Sequence, residues 1–463
     1  MPDSTVLDLG KTPAETVFLL SWPAIAEQLL TSMASLIDTA MVSSAGAVAT
    51  ASVAINVSTI WLLNGIFTSL SAGYMYIVAH SIGEQRAKRA CDATRQSVTA
   101  SLITGAVLMI LVELIIAPNL SVWLGGAAEI IPDAKAYLHI IGFAMIFQAF
   151  TIVFSAVIRG AGNTRLPLLA NFIGNICNII GNTLLIFKPH HVDLFGLSFN
   201  MYGAGLGVRG AAISTAVSQI ISGLILLCAL YKIKAPIKLK LKGDYRLKYA
   251  TTVRMLRISI PVLLERMTIC VGQIILTAII SGAGTVALAV HQLINQVESI
   301  LYLPAYGFAS TATTLVGQSL GAAKRDRAKE FVRIICIANT LMLTGICIVV
   351  FIFAKGIIGI LTPNAEVVRL GNIGLKITAA TEPLFAMSVV MGGVCRGSGD
   401  VKFPLVVSLV GMWVLRLFPA YLLAFTFGGG VIGIEAAIGF DVSIRGIACI
   451  WRLKSHRWLP KTD

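Results

Sequence analysis

The sequence predicts an all-α integral membrane protein of twelve transmembrane helices arranged as two six-helix lobes, and three observations carry that prediction. The 463 residues are 56% hydrophobic and only 13% charged, with a mean hydropathy of +0.84, far from the balance of a soluble globular domain. Apolar segments of roughly 20 residues, enough to cross a bilayer core of about 30 Å, recur along the whole chain. Blocks of the first half also return in the second at a nearly constant offset.

The spans are expected near 16–42, 47–78, 90–117, 132–158, 165–187, 208–231, 251–280, 285–315, 330–354, 367–394, 403–426 and 430–452. Lipid offers backbone groups no hydrogen bonds, so spanning segments must be helices or a closed barrel. Long apolar runs without strict period-two alternation exclude the barrel.

The formal charge of +14 would suggest nucleic acid in a soluble protein. Here the basic residues fall in alternate connections: Arg86 to Arg95, Arg159 and Arg165, Lys232 to Lys248, Lys324 to Lys329, Arg396 and Lys402, and Arg452 to Arg457, with Lys188, Arg209, Lys355 and Arg369 as the exceptions. They lack the interleaved aromatics and the surrounding folded module of a nucleic-acid interface. The positive-inside rule places these connections and both termini in the cytoplasm, and an even helix count agrees. The polar first fifteen residues and the long first apolar run do not read as a secretory signal. Eight cysteines, with no C-x-x-C spacing, indicate neither a zinc site nor a disulfide framework.

The repeat sets the domain organisation. "RGAGNTRLP" (159–167) returns as "RGSGDVKFP" (396–404), "SWPAIAEQ" (21–28) as "SIPVLLER" (259–266), "AGAVATA" (45–51) as "AGTVALA" (283–289), and "SIGEQRAK" (81–88) as "SLGAAKRD" (319–326). Six helices per copy is an even number, so the copies share one orientation as parallel repeats. The expected division is an N-terminal lobe at 1–231, a basic cytoplasmic linker at 232–249 and a C-terminal lobe at 250–463. Two such lobes around a cleft suit alternating access.

Three motifs are set aside. "GLGVRG" (205–210) matches a dinucleotide fingerprint, but it opens a membrane helix, no strand is expected before it, and no acidic residue follows about 20 positions on. "GSGD" (397–400) lacks the second aspartate that an intramembrane protease needs to share a proton, since Asn163 holds the repeat-equivalent place. His190 and His191 have no carboxylate or cysteine pattern around them and read as a solvated loop pair.

The stretches "PAIAEQLLTSMASLIDTAMV", "RGAGNTRLPLLANFIGNICNIIGNTLLIF", "GVRGAAIST", "ALAVHQLINQVESILYLPAYGFASTATTLVGQSLGA" and "CRGSGDVKFP" resemble the multidrug and toxic compound extrusion (MATE) family over essentially the whole chain. The likeness is to a prokaryotic member, closest to the DinF-like branch. It implies a secondary antiporter, not an enzyme, that expels organic and often cationic compounds in exchange for protons or sodium, multi-pass in the cell (inner) membrane. It implies no cofactor beyond that coupling ion. The expected partners are small-molecule substrates and membrane lipid, with no nucleic acid, and the chain is expected to act as a monomer. A flippase for a lipid-linked precursor, from the same broader superfamily, is the alternative. It would call for a cleft dominated by basic residues.

Asp38 is the first candidate for the ion-coupling site. It has no Lys or Arg within ten residues on either side, and a carboxylate in hydrocarbon is rare and usually faces an interior cavity. It lies fifteen residues beyond Pro23, about 22 Å along the helix axis. Asn171, Asn175, Asn178 and Asn182 form a polar stripe on one face of helix 5. Amide oxygens of that stripe and the Thr215 hydroxyl of helix 6 are expected to complete an oxygen-rich pocket. The resemblance implies the same set, because the family's N-lobe cation site matches Asp38, Asn178, Asn182 and Thr215. It departs at Asn182, where members with a clear sodium site often carry aspartate. No metal is expected beyond sodium at Asp38. Burial disfavours the charged form of a carboxyl group, which suits Asp38 to loading and releasing a proton.

The second half replaces Asp38 with Leu276, but carries Glu298 in helix 8, Arg416 in helix 11, and Asp441 with Arg445 in helix 12. These are read as a paired network or a substrate-binding element. Glu27 and Glu265, each four residues after a proline, are candidates for a gate.

Overall fold

The computed structural model describes residues 10–194, 197–233, 237–240 and 242–460, the side chains of 190–201 excepted. Among the described residues twelve helical segments follow one another. They are α1 (Pro13–Ser44), α2 (Ala47–Gly83), α3 (Ala87–Trp123), α4 (Ile131–Phe143 and Met145–Gly160), α5 (Arg165–Leu185), α6 (Val208–Lys232), α7 (Tyr249–Gly282), α8 (Thr285–Leu301 and Leu303–Gly321), α9 (Arg325–Leu361), α10 (Ala365–Ser398), α11 (Lys402–Thr426) and α12 (Gly430–Lys454). Among the described residues nine of these are long and apolar enough to cross a membrane singly, and the two pieces of α4, bent by 53°, make a tenth. Of the remaining two, α8 breaks at Tyr302 and α12 carries Glu435, Asp441 and Arg445. Both α3 and α11 contain π-helical turns, at Val112–Ile116 in the first and at Gly411–Leu417 and Leu422–Thr426 in the second.

One element departs from the all-helical expectation. His190–Leu194 (β1) and Leu197–Met201 (β2) pair as an antiparallel hairpin, with His190 opposite Met201. His190 and His191 therefore begin a strand instead of lying in a loop, and a strand does precede "GLGVRG". It pairs antiparallel within a hairpin and leads into a membrane helix, so the dinucleotide reading gains nothing. Gly205 and Gly207 in that stretch hold φ of +65° and +54°, which glycine adopts without steric cost.

The duplication is visible in backbone conformation. The turn after α1 uses Gly46 at φ +116° and the turn after α7 uses Gly284 at +109°. Gly162 and Gly399, which follow the two matching Arg-Gly motifs, stand at +91° and +86°. Even the non-glycine positions agree, since Gln85 and Ala323 both adopt φ of +57° at the ends of α2 and α8. Pro23 and Pro261 lie within α1 and α7.

The chain forms two compact units whose boundaries differ from the expected lobes. One unit holds Leu29–Val78 and Arg86–Leu256. Its core joins Val42, Phe67, Val112, Leu138, Met145 and Ala212. The linker belongs to this unit: Thr99 donates to the Tyr245 carbonyl at 2.7 Å, the Lys248 amide to Gln96 at 3.0 Å, and Lys248 pairs with Asp92 at 3.1 Å. Residues 234–236 and 241 of the linker lie outside the described residues.

The other unit runs from Arg257 onward and includes Ala79–Gln85 and the start of α1 up to Gln28. Val17 and Leu20 pack there with Phe308, Phe331, Val394 and Trp458, and His80 meets the Gly397 carbonyl at 3.0 Å. Helix α10 is half buried along its most apolar stretch and packs against α8, α9 and α12. Large apolar side chains such as Leu341, Ile352 and Ile360 point outward from α9, as a lipid-facing surface requires.

Small residues set the helix spacing, as expected where lipid leaves van der Waals packing to hold helices together. A Cβ on Gly393 of α10 would collide with the Ala309 backbone of α8, whereas one on Gly359 of α9 would meet open space. Gly393→Ala is therefore expected to cost about 1–3 kcal/mol and lower the melting temperature of the purified protein in detergent. Gly359→Ala should leave it unchanged or raise it.

Candidate functional site

The first unit gathers the predicted N-terminal residues. Glycines bring α5 and α6 together: a Cβ on Gly174 would strike the Ser222 hydroxyl, and one on Gly181 would strike Ser214. At this separation Asn178 of α5 reaches α6 and donates its amide to the Thr215 hydroxyl at 3.2 Å. One turn on, Asn182 donates to Oδ1 of Asp38 in α1 at 2.6 Å and stands 3.4 Å from the Asn178 oxygen. Asn178 and Asn182 are buried, at 7% and 0% exposure, while Asp38 and Thr215 are partly exposed. Tyr137 of α4, also buried, lies within range of the Asp38 charge.

All four residues therefore meet, and Asp38, Asn178 and Thr215 each bring an oxygen. Asn182 turns its N–H toward Asp38, so the carboxylate is held by a donor. The Asn182 oxygen is buried and makes no hydrogen bond. Of the remaining stripe, the Asn175 amide nitrogen is buried without a partner.

The second unit turns its predicted charges into a larger polar centre. Asp441, fully buried, accepts from Arg416 Nε at 2.8 Å and from Arg445 Nη2 at 2.5 Å through the same oxygen. Arg416 lies in the π-helical turn of α11, and only glycine at 411 lets that backbone approach. A Cβ there would meet Asp441 Oδ1 and the Arg445 side chain. Glu298 feels the charges of Arg416, Glu435 and His291.

Sequence reading missed several members. His291 of α8 pairs with Glu435 of α12 at 2.7 Å, and Asn295 contacts the other ring nitrogen of His291 at 2.7 Å. Glu382 of α10, 1% exposed, lies within range of Glu298 and Arg416. A separate pair in the first unit, Glu113 and His139 at 2.6 Å, joins the π-helical turn of α3 to α4. Glu382 and Glu435 are acids inside apolar runs, as Asp38 is, but Lys376 lies six residues before the first and Asp441 six after the second, so neither stands alone as Asp38 does.

The two gate candidates belong to one unit. Glu27 is 5% exposed. Glu265 lines a cavity of the second unit together with Arg266 and Arg396.

Comparison with known proteins agrees with the repeat. The MatE family profile matches twice, over residues 23–184 and 261–422. An uncharacterized transporter, YisQ of Bacillus subtilis, is 27% identical over 458 residues, 97% of each chain. A probable multidrug resistance protein, NorM of Thermotoga maritima, is 27% identical over 444 residues, 95% of this chain and 92% of its own. Among solved structures, a MOP superfamily transporter from Pyrococcus furiosus superposes with a TM-score of 0.88 at 18% identity over 98% of both chains. An outward-facing multidrug resistance MATE family transporter reaches 0.86 at 18% identity over the same shares. At that identity the superpositions speak to the fold.

The two aspartates should behave differently. Asp441→Asn strands two buried guanidiniums and is expected to cost roughly 3–5 kcal/mol, read as a large fall in melting temperature in detergent. Asp38→Asn leaves an amide oxygen to accept from Asn182 and removes only the charge from that single bond, so it should cost about 1 kcal/mol or less. Equal losses would contradict the contrast drawn between them.

Proposed function

The chain belongs to the MatE family of multidrug and toxic compound extrusion transporters, and on that premise we propose that Asp38 is the coupling group of a proton-driven antiporter. As a member of the family it is a multi-pass membrane efflux transporter and not an enzyme. The observation that carries the coupling role is the hydrogen-bonded chain Asp38–Asn182–Asn178–Thr215, which ties one carboxylate of α1 to α5 and α6.

Protons are favoured over sodium for two reasons. Only one carboxylate is present, so a cation would find little compensating charge. The nearest amide also offers Asp38 a hydrogen instead of adding an oxygen ligand. Ionised Asp38 keeps the Asn182 hydrogen bond and holds α1 against α5. Protonation weakens that bond and frees α1 to bend at Pro23. A proton that favours one conformation, with substrate binding competing against it, is what exchange requires. The substrates are organic and often cationic compounds. The relatives' names point to drugs.

Drug export from proteoliposomes, driven by a proton or a sodium gradient, tests this reading. Asp38→Asn is expected to abolish gradient-driven export while the protein stays folded, and Asn178→Ala and Asn182→Ala should reduce it a few-fold. Export by Asp38→Asn at the wild-type rate, with undiminished dependence on the gradient, would overturn the mechanism.

The orientation is part of the same proposal: the chain acts as a monomer, with both termini and the 232–249 linker cytoplasmic. A cysteine introduced at Lys240 should resist a membrane-impermeant thiol reagent in intact cells and react after lysis. Labelling in intact cells would reverse the orientation.

A further inference from the structure

The second unit holds a cavity of about 90 Å³, remote in sequence from the Asp38 site, lined by residues of α7, α8, α10, α11 and α12. A single water needs about 10–15 Å³ by this kind of measure, so the space suits one small charged group. Pockets for whole drug-sized molecules start at about 300 Å³.

Its charge is out of balance. Three guanidiniums, those of Arg266, Arg396 and Arg445, line it with one carboxylate, Glu265. Arg445 is 8% exposed and spends Nη2 on Asp441, but its Nε is buried without a partner. Neither Arg266 nor Arg396 makes a hydrogen bond or ion pair with any described residue, and Glu265 acts on Arg396 through space alone. Arginine cannot shed its charge by deprotonation, and Arg266 and Arg396 are partly exposed, so both are open to an anion entering the cavity. The guanidinium fork matches a phosphate or carboxylate through two parallel hydrogen bonds. Phe385 and Phe403 add apolar wall to the same cavity, suited to the body that such a head would carry.

We propose that this cavity binds the anionic head, a phosphate or carboxylate, of an amphipathic ligand, seated between Arg266 and Arg396 with Arg445 behind. Glu265 is then an antagonist of binding, because it competes for the same guanidiniums. This gives Glu265 a role that a gate does not require. None of it depends on Asp38, so the site stands or falls independently of the coupling mechanism.

Calorimetric titration of the detergent-solubilised full-length protein tests the assignment with three probes: inorganic phosphate, benzoate and a short-chain phosphatidylglycerol. At least one should bind the wild type. Arg266→Gln and Arg396→Gln should each weaken that binding about tenfold or more, the loss of a charge-assisted pair. Glu265→Gln should strengthen it. Sensitivity confined to the phosphatidylglycerol identifies a lipid headgroup as the source, and sensitivity with phosphate or benzoate identifies a free anion. Should an arginine variant fail to fold, the sign of the Glu265→Gln change decides. No binding by the wild type, unchanged affinity in the folded variants, or weaker binding in Glu265→Gln would overturn the proposal.

Discussion

A charge placed in hydrocarbon must be shared with a partner inside the protein, and much of this molecule is arranged around that demand. An unpaired charge at mid-membrane costs several kcal/mol at least, comparable with the whole stability of a domain. Asp441 meets the demand with two guanidiniums on one oxygen. Asp38 meets it with a single amide hydrogen. Between these extremes lies the difference between a fixed structural anchor and a group whose charge can change without the unit coming apart.

The same demand explains what could be read from the sequence. Apolar length located most of the twelve spans, because lipid leaves a helix no alternative; the broken α8 and the charged α12 fall short of it. The repeat was legible because short blocks such as "RGAGNTRLP" sit where the backbone must turn. Asp38 was legible because nothing near it in sequence could neutralise it. Its partners were placed by spacing along α5 together with the family resemblance. The direction of the Asn182 amide was not, since oxygen and nitrogen exchange places by a rotation that no sequence encodes. His291 and Glu435 are 144 residues apart, a pairing that only the packing of α8 against α12 creates. The hairpin left a trace that was overlooked: Val192, Leu194, Leu197, Phe199 and Met201 alternate along its two strands.

The halves of the chain have kept their backbone and exchanged their contents. Turns match down to the φ angles of Gly46 and Gly284, yet Leu276 stands 1% exposed in an apolar core at the place that Asp38 holds in the first half. The polar centre of the second half is drawn from α8, α10, α11 and α12 instead of α1, α5 and α6. A duplicated scaffold tolerates this because the helix spacing rests on small residues such as Gly181 and Gly393 and not on the charged side chains themselves. Membership of the compact units was likewise hidden, because α1 is one continuous helix whose residues divide after Gln28.

The π-helical turns of α11 alter how the two halves are to be counted against each other. Such a turn accommodates one residue more than an ordinary turn between the same two ends, so it acts as a built-in insertion and shifts by one residue, about 100° of helix face, which side chains fill each face beyond it. Counting at the constant offset of "RGAGNTRLP" and "RGSGDVKFP" sets Asn178 against Leu415. One added residue moves the correspondence to Arg416, the side chain that grips Asp441. A gapless alignment of the halves, or of this chain with a relative that lacks the turn, would pair an inward-facing position with a lipid-facing one for the rest of the helix.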